Sequence, residues 1–391
     1  MTVVAEERAA SGDWVGEPGF GVYVHVPFCL HRCHYCDFNT YEGQQELHGL
    51  YVEALVREIE RWEPSAREVT SVFFGGGTPT LLPVDYVQRV LEAIRGRFAP
   101  AREMEVTIEA NPETVDEASF EALLKAGFNR FSIGIQSLAP HVLTGLGRRH
   151  STETALTALR AARRAGVDNL NADLIYGSPW ESAEDWRRSL EAIAELSPDH
   201  ISAYALTVEE GTPLATFVAS GRVPEVDPDV QAERYERTSA MLRAAGYRRY
   251  ETSNWALAGR ACAHNVLYWS AGDYAAFGAG AHGHEQGTRW WNLRLPRDFI
   301  AAVHGGASTR AGEETLDASQ RAGEALALGL RLASGVDLRG FAARFGTCHL
   351  ADRAAVIDEL VGLGLLERGG GWLRVSERAT LVASDVTCRL L

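Results

Sequence analysis

Residues 21–38 read GVYVHVPFCLHRCHYCDF. The run GVYVHV predicts a β-strand. It ends in three cysteines, Cys29, Cys33 and Cys36, spaced C-x₃-C-x₂-C, and Phe38 stands where a further cysteine would extend the series. A strand that delivers thiols at its C-terminal end puts reactive groups where α/β folds build their sites.

Beyond this stretch, strand-like and helix-like segments alternate. Leu47, Leu50, Tyr51, Ala54, Leu55, Ile59 and Trp62 keep the helical period. VTSVFF, MEVTIEA, RFSIGIQ, NLNADLIYG and HISAYALTV read as further strands, with helices expected over residues 83–98, 115–126, 152–165, 182–196 and 230–245. Gly127 and Gly166 stand where helix C-caps belong. Six βα units in succession predict a parallel sheet. The cysteines, Gly75 to Gly77, Glu109, Gln136 and Asp173 all fall at or near strand C-termini. A site drawn from that many strand ends favours a barrel mouth over the single crevice of a doubly wound sheet. The fold class is therefore α/β, an incomplete (βα)₆ TIM-type barrel. From about residue 315 the character changes to Ala- and Leu-rich helices and the turn-rich GLLERGGGWLRV, which predicts a hairpin. The expected division is an N-terminal extension (1–20), the barrel (21–250), a connecting segment (251–312) and a small helical, winged-helix-like domain (313–391).

Composition narrows the function. The chain has 391 residues, 46% hydrophobic and 23% charged, with a formal net charge of −14. That balance supports a solvated surface and argues against general nucleic-acid binding, which needs a basic face. The N-terminal twenty residues lack an apolar h-region. No apolar run reaches spanning length, so a cytoplasmic location is expected. In that reducing setting Cys262, Cys348 and Cys388, far apart in sequence, read as free thiols, and the tight trio as a metal site or reactive centre.

Three clustered thiolates can hold an iron–sulfur cluster, or zinc if His31 or His34 supplies a fourth ligand. The spacing is unlike paired zinc knuckles and favours the cluster. Three ligands on a four-iron cluster leave one iron open to a small molecule. Here the sequence resembles the radical S-adenosylmethionine superfamily, whose signature is this spacing. The resemblance implies a [4Fe–4S] cluster on Cys29, Cys33 and Cys36, with S-adenosylmethionine as an exchangeable ligand of the open iron. It also implies an electron donor and deoxyadenosyl-radical chemistry.

A closer resemblance runs from about Gly21 to the C-terminus. YVHVPFC (23–29), GGGTPT (75–80), IEANP (108–112), GIQS (134–137), GRRH (147–150) and ADLIYGSP (172–179) are similar to motifs of the oxygen-independent coproporphyrinogen III oxidase group. That resemblance implies S-adenosylmethionine contacts from Tyr23, Tyr35, Gly76, Gly77, Thr78 and Glu109. Gln136, Arg148 and Asp173 match positions for a second S-adenosylmethionine, while Arg149 reads as an exposed cation. The oxidases carry C-x₃-C-x₂-C-x-C; the form with Phe38 resembles a sister branch, the haem chaperones. His264-Asn265-Val266-Leu267-Tyr268-Trp269 matches that branch's H-N-x-x-Y-W motif. A neutral imidazole suits haem iron, so His264, Tyr268 and Trp269 are haem candidates. His282 and His284, in the glycine-rich FGAGAHGHEQG (277–287), follow. No C-x-x-C-H attachment is present. The resemblance implies haem binding and delivery to an acceptor protein, with any membrane contact peripheral and through that acceptor. The competing expectations are radical decarboxylation of coproporphyrinogen III and the chemistry of a methyltransferase or haem-degrading relative.

Overall fold

The computed structural model describes residues 17–63 and 65–391. Residues 1–16, most of the expected extension, lie outside the described residues. Six strands form the spine: β1 (Phe20–Val26), β2 (Ser65–Gly76), β3 (Phe98–Ala110), β4 (Arg130–Gln136), β5 (Leu170–Tyr176) and β6 (His200–Ala205). They pair in chain order and run parallel. The crossovers are α1 (His48–Arg61), α2 (Val84–Arg97), α3 (Glu117–Ala126), α4 (Thr152–Arg164), α5 (Ala183–Glu195) and α6 (Pro228–Ala244). Gly127 ends α3 in the left-handed region at φ 102°, the conformation a helix-closing glycine supplies. Ser182 caps α5 with Asp185 in a capping box. Within the barrel, two short helices were not expected, Pro140–Leu146 and Pro213–Ala219. Each spans seven residues, too few to print a helical period in the sequence.

Pleating divides the strands into two faces. Val22, Val24, Val72, Phe74, Ile108, Ile133 and Leu174 pack with Leu55, Leu91, Phe120 and Leu159 of the helices in one core. The intervening positions carry Tyr23, Ser71, Thr107, Glu109, Ser132, Asn171, Asp173 and Ser202, giving the barrel a polar interior.

The barrel does not close. β6 pairs antiparallel with β8 (Asn254–Ala256), which pairs with β7 (Arg248–Glu251). At the other edge, β1 pairs parallel with β9 (Asp273–Phe277). Beyond it lie β10 (His282–Glu285), β11 (Thr288–Asn292) and β12 (Arg310–Thr315), in a twelve-stranded sheet. The segment 251–312, expected as a connector, thus supplies strands to both edges of the barrel sheet.

The H-N-x-x-Y-W residues lie on α7 (Ala263–Trp269). The C-terminal part contains α8 (Ala318–Gly329), α9 (Leu338–Phe345), α10 (Ala354–Gly362) and a hairpin of Leu366–Gly369 with Trp372–Val375. Val336–Asp337 adds a third strand to that hairpin. Its core joins Leu326, Phe341, Leu360 and Leu373 to Tyr250 and Val266, so α7 docks the small domain onto the barrel.

Candidate functional site

A cavity of about 390 Å³ opens at the C-terminal ends of the strands. It gathers Cys29, Cys33, Cys36, Tyr35, Gly76, Gly77, Thr78, Glu109, Gln136, Arg148 and Asp173 from segments remote in sequence. Tyr23 is not among its lining residues. Its hydroxyl meets His25 Nδ1 at 2.9 Å, and His25 Nε2 meets the Asn39 carbonyl at 2.9 Å. Half-buried Tyr23, an expected S-adenosylmethionine contact, is thus held by a His25 prop. Burial lowers His25 to about 4, so the prop is uncharged.

The cysteine loop is fastened on several sides. The His34 amide donates to the Leu146 carbonyl at 3.0 Å, and its Nδ1 lies 3.0 Å from the Gly145 carbonyl. Asn39 Nδ2 donates to the carbonyls of Ala279 and Arg294. Thr78 Oγ1 lies 3.7 Å from Cys29 Sγ, and Arg148 Nη1 lies 3.5 Å from Cys33 Sγ. Burial raises the Cys29 thiol to about 11 and raises Cys36 as well. Metal ligation offsets that cost by stabilising thiolate.

The residues fit a cluster and an organic ligand better than a single ion. Among the described residues no three His, Cys, Asp or Glu groups are placed to hold one metal ion. His34, a candidate fourth zinc ligand, has Nδ1 on Gly145 and its ring edge-on to Phe217. Gln136 Oε1 and Arg148 Nε are buried at the cavity without a hydrogen-bond partner, as polar groups awaiting a ligand would be. A Cβ on Gly77 would lie 2.6 Å from the Phe28 carbonyl, so only glycine permits that close passage. Gly76, at φ 105°, donates its amide to Glu109 Oε2 at 3.1 Å.

Two carboxyl groups face the interior. Burial and then the charge of Asp173 push Glu109 up to about 8. Asp173 accepts from Ser132 Oγ and Asn171 Nδ2, both at 2.8 Å. Arg148 donates to Asn111 Oδ1 at 2.8 Å, and Asn111 Nδ2 donates to Thr78 Oγ1 at 3.0 Å. Asn111, Ser132 and Asn171 were not singled out in the sequence. Their signal is polar residues alternating along strands otherwise apolar, the mark of an inward polar face. Arg149 is exposed, as expected.

The haem candidates are scattered. His264 is 2% exposed, with Nδ1 2.8 Å from Ser71 Oγ and Nε2 2.9 Å from Tyr268 OH. Both ring nitrogens are occupied, burial lowers its pKa to about 3, and Phe73 stacks on the ring. It is a satisfied core histidine here, which corrects the expectation of an available axial ligand. Trp269 packs on the small domain's core under the Arg331 guanidinium, not on an open surface. His282 is exposed and stacks on Trp291. Asn265 of the same motif donates to Tyr250 OH at 3.0 Å, which meets His200 Nε2 at 2.9 Å. His200 Nδ1 meets Asn171 Oδ1 at 2.6 Å. A hydrogen-bonded chain therefore runs from α7 to Asp173 in the cavity.

Comparison with known proteins agrees with this geometry. The Radical SAM superfamily model matches residues 23–193 and the HemN C-terminal domain model matches residues 316–382. Heme chaperone HemW of Mycobacterium tuberculosis is 42% identical over 382 residues, covering 96% of this chain and 95% of that protein. Heme chaperone HemW of Escherichia coli is 34% identical over 379 residues, covering 94% and 97%. The solved coproporphyrinogen III oxidase (HemN) from Escherichia coli shares the fold at a TM-score of 0.82 and 22% identity, covering 98% of this chain and 92% of that one. Among the described residues no helix is long and apolar enough to cross a membrane.

Proposed function

The chain belongs to the heme chaperone HemW family of radical SAM proteins, and from that premise we propose that it binds haem and passes it to an acceptor protein. A [4Fe–4S] cluster, S-adenosylmethionine and haem are the groups it works with. The observation that carries this reading is the 42% identity to a heme chaperone over 96% of the chain. Phe38 supports it from within the site: it is 59% exposed at the cavity rim and offers no fourth thiol.

Cys29, Cys33 and Cys36 would hold the cluster. Tyr23, Tyr35, Gly76, Gly77, Thr78 and Glu109 would hold S-adenosylmethionine. Gln136, Arg148 and Asp173 would take the far end of the same pocket. When bound, the cluster supplies a single electron and S-adenosylmethionine an electron-accepting sulfonium. The chain's own residues position them. Arg148 sets its cation beside the Cys33 sulfur, and Gly77 lets backbone pass close. Asp173 is held by Ser132 and Asn171, so the pocket keeps its carboxyl group fixed next to Glu109, which burial pushes up to about 8. The acceptor protein and an electron donor complete the cycle, in a reducing cytoplasm that suits the unpaired thiols.

The test is a paired assay on anaerobically reconstituted protein. The reading predicts stable haem uptake by absorbance and no conversion of coproporphyrinogen III to protoporphyrinogen IX. Robust porphyrin turnover without stable haem uptake would sink it.

A further inference from the structure

With His264 enclosed, the family motif leaves open where haem sits. A second cavity of about 620 Å³ lies between the sheet edge and the small domain, and the motif's own Tyr268 lines it. Its size is within the range of small-molecule sites.

Four features of this cavity converge. First, His284 on β10 lines it, with Nδ1 3.3 Å from Asp273 Oδ1 and 3.4 Å from the Gly272 carbonyl. A histidine whose Nδ1–H is donated to a carboxylate or carbonyl keeps its Nε2 lone pair for a metal, the arrangement that orients metal-ligating imidazoles. Second, the carboxylate is itself held, since Asp273 accepts from the Gln286 amide at 2.9 Å and from Arg67 at 3.0 Å. The imidazole's direction is therefore fixed.

Third, the walls are aromatic. The Tyr268 and Tyr274 rings lie 4.6 Å apart, Tyr274 lies 6.4 Å from His284, and Phe345 of α9 also lines the cavity. Fourth, Arg321 of α8 and Arg344 of α9 both line the cavity. Burial lowers Arg344 to about 10, against the opposing charge of Asp273 and with the like charge of Arg321, and its Nη atoms donate to the Ser270 and Ala271 carbonyls. With Arg67 and Arg289, four guanidinium groups line the cavity against the three carboxyls of Glu17, Asp273 and Glu324, a balance that favours a ligand carrying carboxylates.

We propose that this cavity is the haem site, with His284 Nε2 as an iron ligand, Tyr268 and Tyr274 against the macrocycle and Arg321 meeting a propionate. The assignment rests on the haem-chaperone reading. It gives the H-N-x-x-Y-W motif a role: His264 anchors Tyr268, and Tyr268 forms the wall.

Titration of ferric haem into the full-length protein tests it. Wild type should bind with the spectrum of histidine-ligated iron. His284→Ala should bind at least about tenfold more weakly and lose that ligand signature in magnetic circular dichroism, with added imidazole restoring it. Arg321→Ala should weaken binding about two- to fivefold with the signature intact. Leu328→Trp, which fills the cavity from α8, should block binding and covers the case of a misfolded His284→Ala. If wild type binds haem and both His284→Ala and Leu328→Trp match it, the site lies elsewhere and this assignment falls while the family reading stands. If wild type takes up no haem, the chaperone reading falls and this site with it.

Discussion

Arg148 shows how a single side chain organises the mouth. It touches the Cys33 sulfur, the Asn111 amide oxygen and the Gly134 carbonyl, and so couples the cysteine loop to two strand ends. Removing a ligand should have a sharper effect than removing this brace. Cys33→Ala should abolish the broad visible absorption of the reconstituted cluster and leave the far-ultraviolet circular dichroism unchanged; persistence of the absorption would refute the ligand assignment. Glu109 carries a pH dependence. Its folded-state pKa, about 8, lies above the ordinary 4.5. The folded chain therefore binds that proton more tightly, and this group makes stability fall as pH rises from about 4.5 to 8. A cationic ligand prefers the carboxylate and must displace the proton. S-adenosylmethionine affinity should thus rise by up to about tenfold per pH unit between pH 6 and 8, and calorimetry in two buffers should detect proton release. Glu109→Gln should flatten both. Most of the lining residues are legible in the sequence because they stand at or near a strand end or in the cysteine loop, whereas Asn111 and Ser132, which also line the cavity, are not. Nor are the histidines. His264 reads as a ligand by type, and what disarms it is Ser71, 193 positions away.

At the scale of elements, alternation carried the fold. Apolar strands followed by helical segments marked all six parallel units, and Gly127 marked the end of α3 because its φ of 102° suits glycine. A Cβ there would lie 2.4 Å from Arg95 Nη2. Gly127→Ala should cost about 1–2 kcal/mol, read as a lower urea midpoint at unchanged m-value. Edge strands were harder to read. The strands β8 and β10, of three and four residues, are too short to register a period, and they owe their place to partners already in the sheet. Residues 251–312 therefore read as a connector, although the sheet runs through them.

At the scale of the molecule, α7 is the joint. Its Val266 packs into the small domain's core, its Tyr268 lines the second cavity, and its Asn265 begins the hydrogen-bonded chain to Asp173. Asn171 is the hub of that chain, bonded to Ser132, Asp173, Ser202 and His200. Asn171→Ala would strand several buried polar groups and should destabilise the protein by about 2–3 kcal/mol in denaturant unfolding. The small domain thus completes a site with the barrel, which suits a protein that must hold a large ligand and let it go. Haem custody is best tested by loading the reconstituted full-length protein with ferric haem and then adding excess apo-haemoprotein as acceptor. The account predicts saturable, stoichiometric uptake, followed by movement of the Soret band to the acceptor's position. Absence of saturable uptake, or haem that never leaves, would contradict it.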